Sequence, residues 1–465
     1  MITHTWLQGS ISAFLLMLAQ AKGQEPKPCA HGLPEWYNDA KLGIFVHWGL
    51  YSVPAWAPPT GELGKVPFAL WLKRNPYAEW YLNSMKAKDS PTWEHHVKTW
   101  GADFQYEDFA PLFIHQSRAW KPDAWAKLFA ATGAKYVVFT SKHADGYPLW
   151  PTALKNPHLK VGHLAVERDY VGELTTSVRA QGMKMGIYYC GGMDWSFVPE
   201  PVLTMADIYR LVPQSDEYVK LADFHWRELI ARYQPDILWN DISYPKNGDF
   251  NGIVASYYSL KPDGVINNRF GRGDGKADFT TPEYTSFKTI VQKKWETCRG
   301  LGYSFGYNQA EGPEHMLSPA QLVRLLIDVV SKNGNLLLNI GPAADGSIST
   351  LQLERIHALG EWLKVNGEAI YSTRPWTRPE GRTTGGEDVR FTRKGETVYA
   401  ILLSRPKDSS VRITDLRAAP GAEIRLLGSE GALTWTHEDG DLIVKLPASF
   451  PESYAYAVRI APPKR

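Results

Sequence analysis

Between about residues 35 and 345, short apolar runs alternate with amphipathic stretches of helical period, the pattern of repeated βα units around a parallel sheet. The strand-like runs are Gly43 to His47, Lys135 to Thr140, Lys184 to Cys190, Asp236 to Asn240, Val265 to Asn268, Tyr303 to Tyr307 and Asn335 to Ile340. Helical period appears over Pro122 to Ala131, Tyr170 to Gln181 and Glu217 to Tyr233, where Pro235 stops it. The helix after Leu317 has the clearest punctuation: Ser318 caps it, Pro319 takes the first turn, Gln321 completes a capping box, and Asn333-Gly334 ends it. Beyond Trp376 the period becomes that of strands, at Val411/Ile413, Leu433/Trp435 and Leu442/Val444/Leu446, with turns at Lys394-Gly395 and Asp439-Gly440. We therefore expect a (β/α) TIM-like barrel over residues 30–372 and a C-terminal antiparallel β-sandwich over residues 373–465. No G-x-G-x-x-G turn follows any strand, which argues against a dinucleotide-binding sheet.

The apolar run Ile11 to Leu18, followed by Ala19-Gln20-Ala21, predicts a signal peptide over residues 1–21 and a secreted or periplasmic protein, or a lysosomal one in a eukaryote. The run is too short for a stable span, and no later segment reaches that length. Lys+Arg 51 against Asp+Glu 49 leaves no basic excess to draw nucleic acid or an anionic membrane. Cys29, Cys190 and Cys298 are too few and odd in number for a disulfide framework. The 18 Trp and 23 Tyr change the picture more, because flat rings with polar edges suit the C–H faces of sugars, although most such rings fill cores.

In a βα barrel the chemistry gathers at the carboxyl ends of the strands. The first strand ends in His47-Trp48-Gly49, the second in Lys142-His143-Ala144-Asp145-Gly146, and the third carries Tyr188-Tyr189. Leu238-Trp239-Asn240 runs into Asp241, and Val265 to Asn268 runs into Arg269. Imidazole, phenol, carboxylate and guanidinium thus meet on one rim. A carboxylate at the end of an apolar run is expensive unless it has a partner or a task.

Those residues, with Thr281-Pro282-Glu283-Tyr284, Ser304-Phe305-Gly306-Tyr307-Asn308, Glu311-Gly312-Pro313-Glu314-His315 and Gly334 to Pro342, resemble in order the motifs of glycoside hydrolase family 29, the α-L-fucosidases. The resemblance covers roughly residues 35 to 372. It implies an exo-acting retaining glycosidase that removes terminal fucose from a fucosylated glycan or a fucose-containing polysaccharide through a glycosyl-enzyme, with neither cofactor nor metal. By position, the nucleophile falls on Asp241 and the acid/base on Glu283. Glu296 is a rival for the second role, or else an ion-pair partner for a cation such as Arg299. Sugar recognition similarly falls on His47, Glu79, Trp80, His143, Tyr188, Trp239 and Arg269, and an apolar niche for the 6-methyl group on Phe45, Tyr188 and Phe305.

Two positions depart from the family pattern. Ala144 stands where a second histidine is usual, and Ile242 stands where glycine usually follows the nucleophile. The first suggests room for a substituted fucose or for L-galactose. Together they leave open a catalytically impaired sugar-binding homologue. A metal-dependent barrel hydrolase is a further alternative, but it commonly needs paired histidines on a strand, whereas His95-His96 fall on an expected surface helix. The sequence does not fix linkage or oligomeric state.

Overall fold

The computed structural model describes residues 32–159 and 168–463, and the signal segment expected over residues 1–21 lies outside them. Strands β1 (Leu42–Val46), β2 (Tyr136–Lys142), β3 (Lys184–Cys190), β4 (Ile237–Asp241), β5 (Val265–Ile266), β6 (Trp295–Gly300) and β7 (Gly334–Ile340) form one sheet. All its pairings are parallel, in the order β5-β4-β3-β2-β1-β7-β6. The remaining gap is bridged by residues 278–284. Phe279 pairs with Asn267, Thr280 with Trp295 and Glu283 with Cys298, each in parallel. This irregular eighth segment joins β5 to β6 and closes the barrel, so Glu283 is fixed to the wall.

Strand alternation sorts the core into two layers. Ile44, Val46, Val137, Phe139, Ile187 and Leu238 face the surrounding helices. Phe45, Val138, Tyr188, Trp239 and Cys298 face the barrel interior. Helices Pro122–Ala131, Tyr170–Ala180, Asp216–Tyr233 and Pro319–Ser331 lie where their period predicts. The last has its capping box: Gln321 N donates to Ser318 Oγ, and Ser318 N donates to the Gln321 side chain. Asn333, at φ 76, makes the turn into β7.

One strand was misplaced. Tyr303 to Tyr307 is not a strand, and β6 lies at Trp295–Gly300 instead. The reason is chemical: the backbone N–H groups of Tyr303 and Ser304 donate to Glu311 Oε1, and that of Gly306 donates to Glu79 Oε2, so two carboxylates take the donors a sheet neighbour would use.

Residues Arg374–Ala461 form antiparallel sheets of five and three strands around a separate apolar cluster. They brace the barrel's outer helices. Arg390 Nε pairs with Asp328 at 2.6 Å, and Trp362 Nε1 donates to Ala455 O.

The end of β2 is pinned from below the rim. Lys142 Nζ meets Asp194 Oδ2 at 2.8 Å with both side chains at 0% exposure, and the ammonium lies 4.8 Å from the Tyr189 ring centroid. Asp194→Ala strands a buried ammonium and should lower unfolding stability by about 3 to 5 kcal/mol. Urea denaturation monitored by tryptophan fluorescence measures this, and a loss below ~1 kcal/mol would contradict the pinning role.

Candidate active site

At the carboxyl ends of the strands lies a cavity of about 210 Å³. That is below the roughly 300 Å³ at which drug-sized sites begin, and it suits one small ring. The residues on which the expected catalytic pair and sugar site fall all line it: Phe45, His47, Glu79, Trp80, His143, Tyr188, Trp239, Asp241, Arg269, Glu283 and Phe305.

Asp241 is the last residue of β4, and three donors face it. Arg269 Nη1 donates to Oδ1 at 2.8 Å, Ile242 N to Oδ1 at 2.9 Å and Tyr188 OH to Oδ2 at 2.9 Å. Ile242 itself takes φ 54, a left-handed conformation that a β-branched residue rarely adopts. Gly192 permits that turn, since a Cβ there would lie 1.6 Å from Ile242 O.

Arg269 bridges two carboxylates. Its Nη2 donates to Glu283 Oε2 at 3.1 Å while Nη1 holds Asp241. Thr281 fixes the fork from the side, its hydroxyl accepting from Nε at 2.9 Å and its carbonyl from Nη2 at 3.1 Å. The guanidinium lies 4.7 Å from the Trp239 ring centroid. Glu283 Oε1 is bonded to the Tyr77 hydroxyl at 2.6 Å. Burial, followed by the nearby charge of Glu283, raises the Tyr77 phenol well above its usual range, so it stays protonated. A phenol donates to a carboxylate and accepts from a carboxylic acid, so Tyr77 serves Glu283 in both protonation states.

The two histidines are neutral. Burial pushes His47 down to about 4, partly opposed by its bond at 2.7 Å to Asn339. Burial, then the neighbouring His47, also lowers His143, which stacks on Tyr188 with centroids 5.7 Å apart. Among the described residues, His143 Nδ1 has no protein partner. Burial raises Glu79 to about 7, and its Oε2 accepts from Gly306 N at 2.7 Å and Ser304 Oγ at 3.2 Å. Trp80 packs edge-on against Trp195. Phe45, Tyr188 and Phe305 form an apolar corner, with Phe45 centroids 5.6 and 6.2 Å from the other two rings.

Trp239 lines the pocket, but its indole N–H points downward, donating to Glu296 Oε1 at 2.9 Å. Glu296 lies on β6 inside the barrel at 0% exposure, its Oε2 taking the Tyr37 and Tyr136 hydroxyls at 3.0 and 2.5 Å. It does not line the pocket, and Arg299 is no partner of it, pairing instead with Glu62 at 2.9 Å. Ala144 also lies off the pocket. Its side chain is fully buried in the interior core, so it does not open the space expected of it. Sequence reasoning did not assign roles to Tyr77, Thr281 and Asn339. Tyr77 and Thr281 sit beside residues it named, and Asn339 lies inside a matched motif.

A family model described as α-L-fucosidase matches residues 20–368, and one described as the α-L-fucosidase C-terminal domain matches residues 382–461. A tissue α-L-fucosidase of Bos taurus is 31% identical over 92% of this chain and 88% of its own length. Human plasma α-L-fucosidase is 33% identical over 90% and 86%. The solved structure of Thermotoga maritima α-fucosidase with a mechanism-based inhibitor has a TM-score of 0.85 at 42% identity, covering 93% of this chain and 97% of that one.

Glu296→Leu would leave two buried phenols and the Trp239 indole without an acceptor. Unfolding stability should fall by roughly 2 to 5 kcal/mol. Chemical denaturation checks this, and an unchanged midpoint would mean that the carboxylate is dispensable to the interior.

Proposed function

This chain belongs to the α-L-fucosidase family and is a glycoside hydrolase, and from that premise we propose that it removes terminal α-L-fucosyl residues by double displacement with Asp241 as nucleophile and Glu283 as acid/base. The carrying observation is that one guanidinium, Arg269, holds an oxygen of each carboxylate. Three donors around Asp241 hold its carboxylate oxygens in position to attack.

In the first step an Asp241 oxygen bonds to the anomeric carbon, the bond to the leaving oxygen breaks, and Glu283 gives its proton to that oxygen. In the second step Glu283 takes a proton from water, the water oxygen bonds to the anomeric carbon, and the Asp241 ester bond breaks. Neutral His47 and His143 add no positive charge beside the oxocarbenium-like transition state, and their nitrogens suit sugar hydroxyls. We assign hydroxyl recognition to these two with Glu79 and Trp80. Trp239 contributes ring surface, and Phe45, Tyr188 and Phe305 take the 6-methyl group.

The domain limits we propose are a signal peptide over residues 1–21, a barrel over 30–372 and a sandwich over 373–465, with a secreted product. Among the described residues no helix is long and apolar enough to cross a membrane. The substrate is a fucosylated glycan.

Asp241→Ala should reduce kcat for an aryl α-L-fucoside by at least about 10⁴-fold. Glu283→Gln should impair a disaccharide substrate far more than the aryl one, whose leaving group needs little proton assistance. Stopped assays on both variants test the pair. Retention of more than a few per cent of activity by Asp241→Ala would overturn the nucleophile assignment.

Glu79 gives a pH prediction. Sugar hydroxyls donate more strongly to a carboxylate than to a carboxylic acid. With its carboxyl at about 7, Glu79 holds its proton below neutrality and must lose it to accept two hydroxyls. Inhibition by free L-fucose should therefore weaken as pH falls through 7, and Glu79→Gln should flatten the profile. An identical profile in that variant would remove Glu79 from sugar binding.

A further inference from the structure

The floor of the pocket is polar, but its mouth is not. Besides Tyr77 and Cys298, the remaining lining around Asp241 and Glu283 is Leu63, Phe68 and Trp71 from the insertion after β1, Met205 and Ile208 after β3, and Ile242 after β4. Loops at three places in the chain thus contribute apolar side chains to one sleeve.

Two features are hard to attribute to core packing. Met205 is 50% exposed at the start of a short helix, Met205–Arg210, tied down by the reciprocal Thr204–Asp207 capping box, and Leu203, just before that helix, is 47% exposed. An apolar side chain is thereby held at a wet edge. Ile242 occupies φ 54, a conformation that strains a β-branched residue. Glycine would leave the Ile242 N–H on Asp241 without that strain. What the branched side chain adds is apolar surface beside the reactive carboxylate.

The sleeve's place in the reaction follows from proton transfer. Glu283 must touch the leaving oxygen to protonate it, so whatever is attached to that oxygen passes through the mouth. Among the described residues, the one cation in the lining is already engaged: Arg269 bonds Asp241, Glu283 and Thr281 through all three nitrogens. An anionic group on the leaving moiety would lose its water there and gain no counterion, close to carboxylates of its own sign.

Resting on the fucosidase reading above, we infer that this mouth is a leaving-group subsite for an uncharged aglycone with an apolar or aromatic face, and that it discriminates against an anionic one. Met205, Ile208 and Ile242 are its specificity-determining residues.

The test compares two aryl α-L-fucosides of matched phenol acidity, one with a neutral ring and one bearing a ring carboxylate. The wild type should favour the neutral substrate in kcat/KM by about tenfold or more. Met205→Ser/Ile208→Ser should lower kcat/KM for the neutral substrate about tenfold, change the carboxylated one less than about twofold, and leave inhibition by free L-fucose unaltered. Leu203→Ser, outside the pocket, should leave all three unchanged. Met205→Gln, at a half-exposed position, carries the same test if the double variant does not fold. The subsite is overturned if the wild type treats both substrates alike, or if the variant loses both in parallel with fucose inhibition. A wild type that hydrolyses neither substrate and does not bind L-fucose would overturn the fucosidase reading, and the subsite with it.

Discussion

A single guanidinium stands between the two carboxylates on which the chemistry depends, and much of the barrel interior is arranged to hold it there. At the roughly 5 Å separation usual for a retaining pair, two carboxylates repel by roughly 3 kcal/mol at an effective dielectric of 20 whenever both are ionised, so the pair needs a cation that reaches both without displacing either. Arginine does this where lysine would not, because its two terminal nitrogens diverge from one plane. The plane is set from several sides: Thr281 holds it laterally and Trp239 lies beneath. Trp239 is itself anchored by Glu296, which Tyr37 and Tyr136 steady deeper in the barrel. A column thus runs from two buried phenols to the reacting atoms. A change at its base would tilt the indole and shift the fork above it.

The same reasoning explains why the histidines must be neutral. The transition state of glycoside hydrolysis gathers positive charge at the ring carbon, and every additional cation nearby would oppose it. Burial removes the proton from His47 and His143, leaving groups that hydrogen-bond hydroxyls without adding charge. Arg269 is tolerable because its charge is already divided between two carboxylates. Electrostatics therefore separates the pocket into a charged pair that reacts and a neutral set suited to recognition.

Much of this arrangement was legible in the chain. The rim motifs lie at the ends of strands whose apolar period is strong, so β1 to β4 and their terminal His47, Tyr188 and Asp241 followed from periodicity and position. The misplaced strand has a different origin. β6 carries Glu296 where an apolar residue would be sought, because the barrel interior at its level is a hydrogen-bonded network rather than hydrocarbon. The aromatic run at Tyr303 to Tyr307 looks like a strand until Glu79 and Glu311, distant or irregularly spaced in sequence, take its backbone donors. Tyr77 escaped assignment for a related reason: nothing local shows that its hydroxyl meets Glu283, 206 positions away. The Ala144 substitution is visible in the sequence, but its direction is not, and the side chain proves to face the core.

Barrel geometry separates two kinds of selectivity. The residues proposed to meet the sugar ring, such as Phe45, His47, Tyr188 and Asp241, are on or just beyond strands whose hydrogen-bonded register fixes them closely, which is what distinguishing one epimer from another requires. The mouth is built from a loop insertion, a six-residue helix and one strained turn, elements that can change length and composition without disturbing the sheet. Ile242 sits at the junction of the two. Its backbone N–H donates to Asp241, while its side chain lines the mouth, so one residue couples the floor to the sleeve. That coupling limits how freely the mouth can vary: loop residues such as Met205 are replaceable, whereas a residue at 242 must also keep the left-handed turn and the backbone N–H that support Asp241.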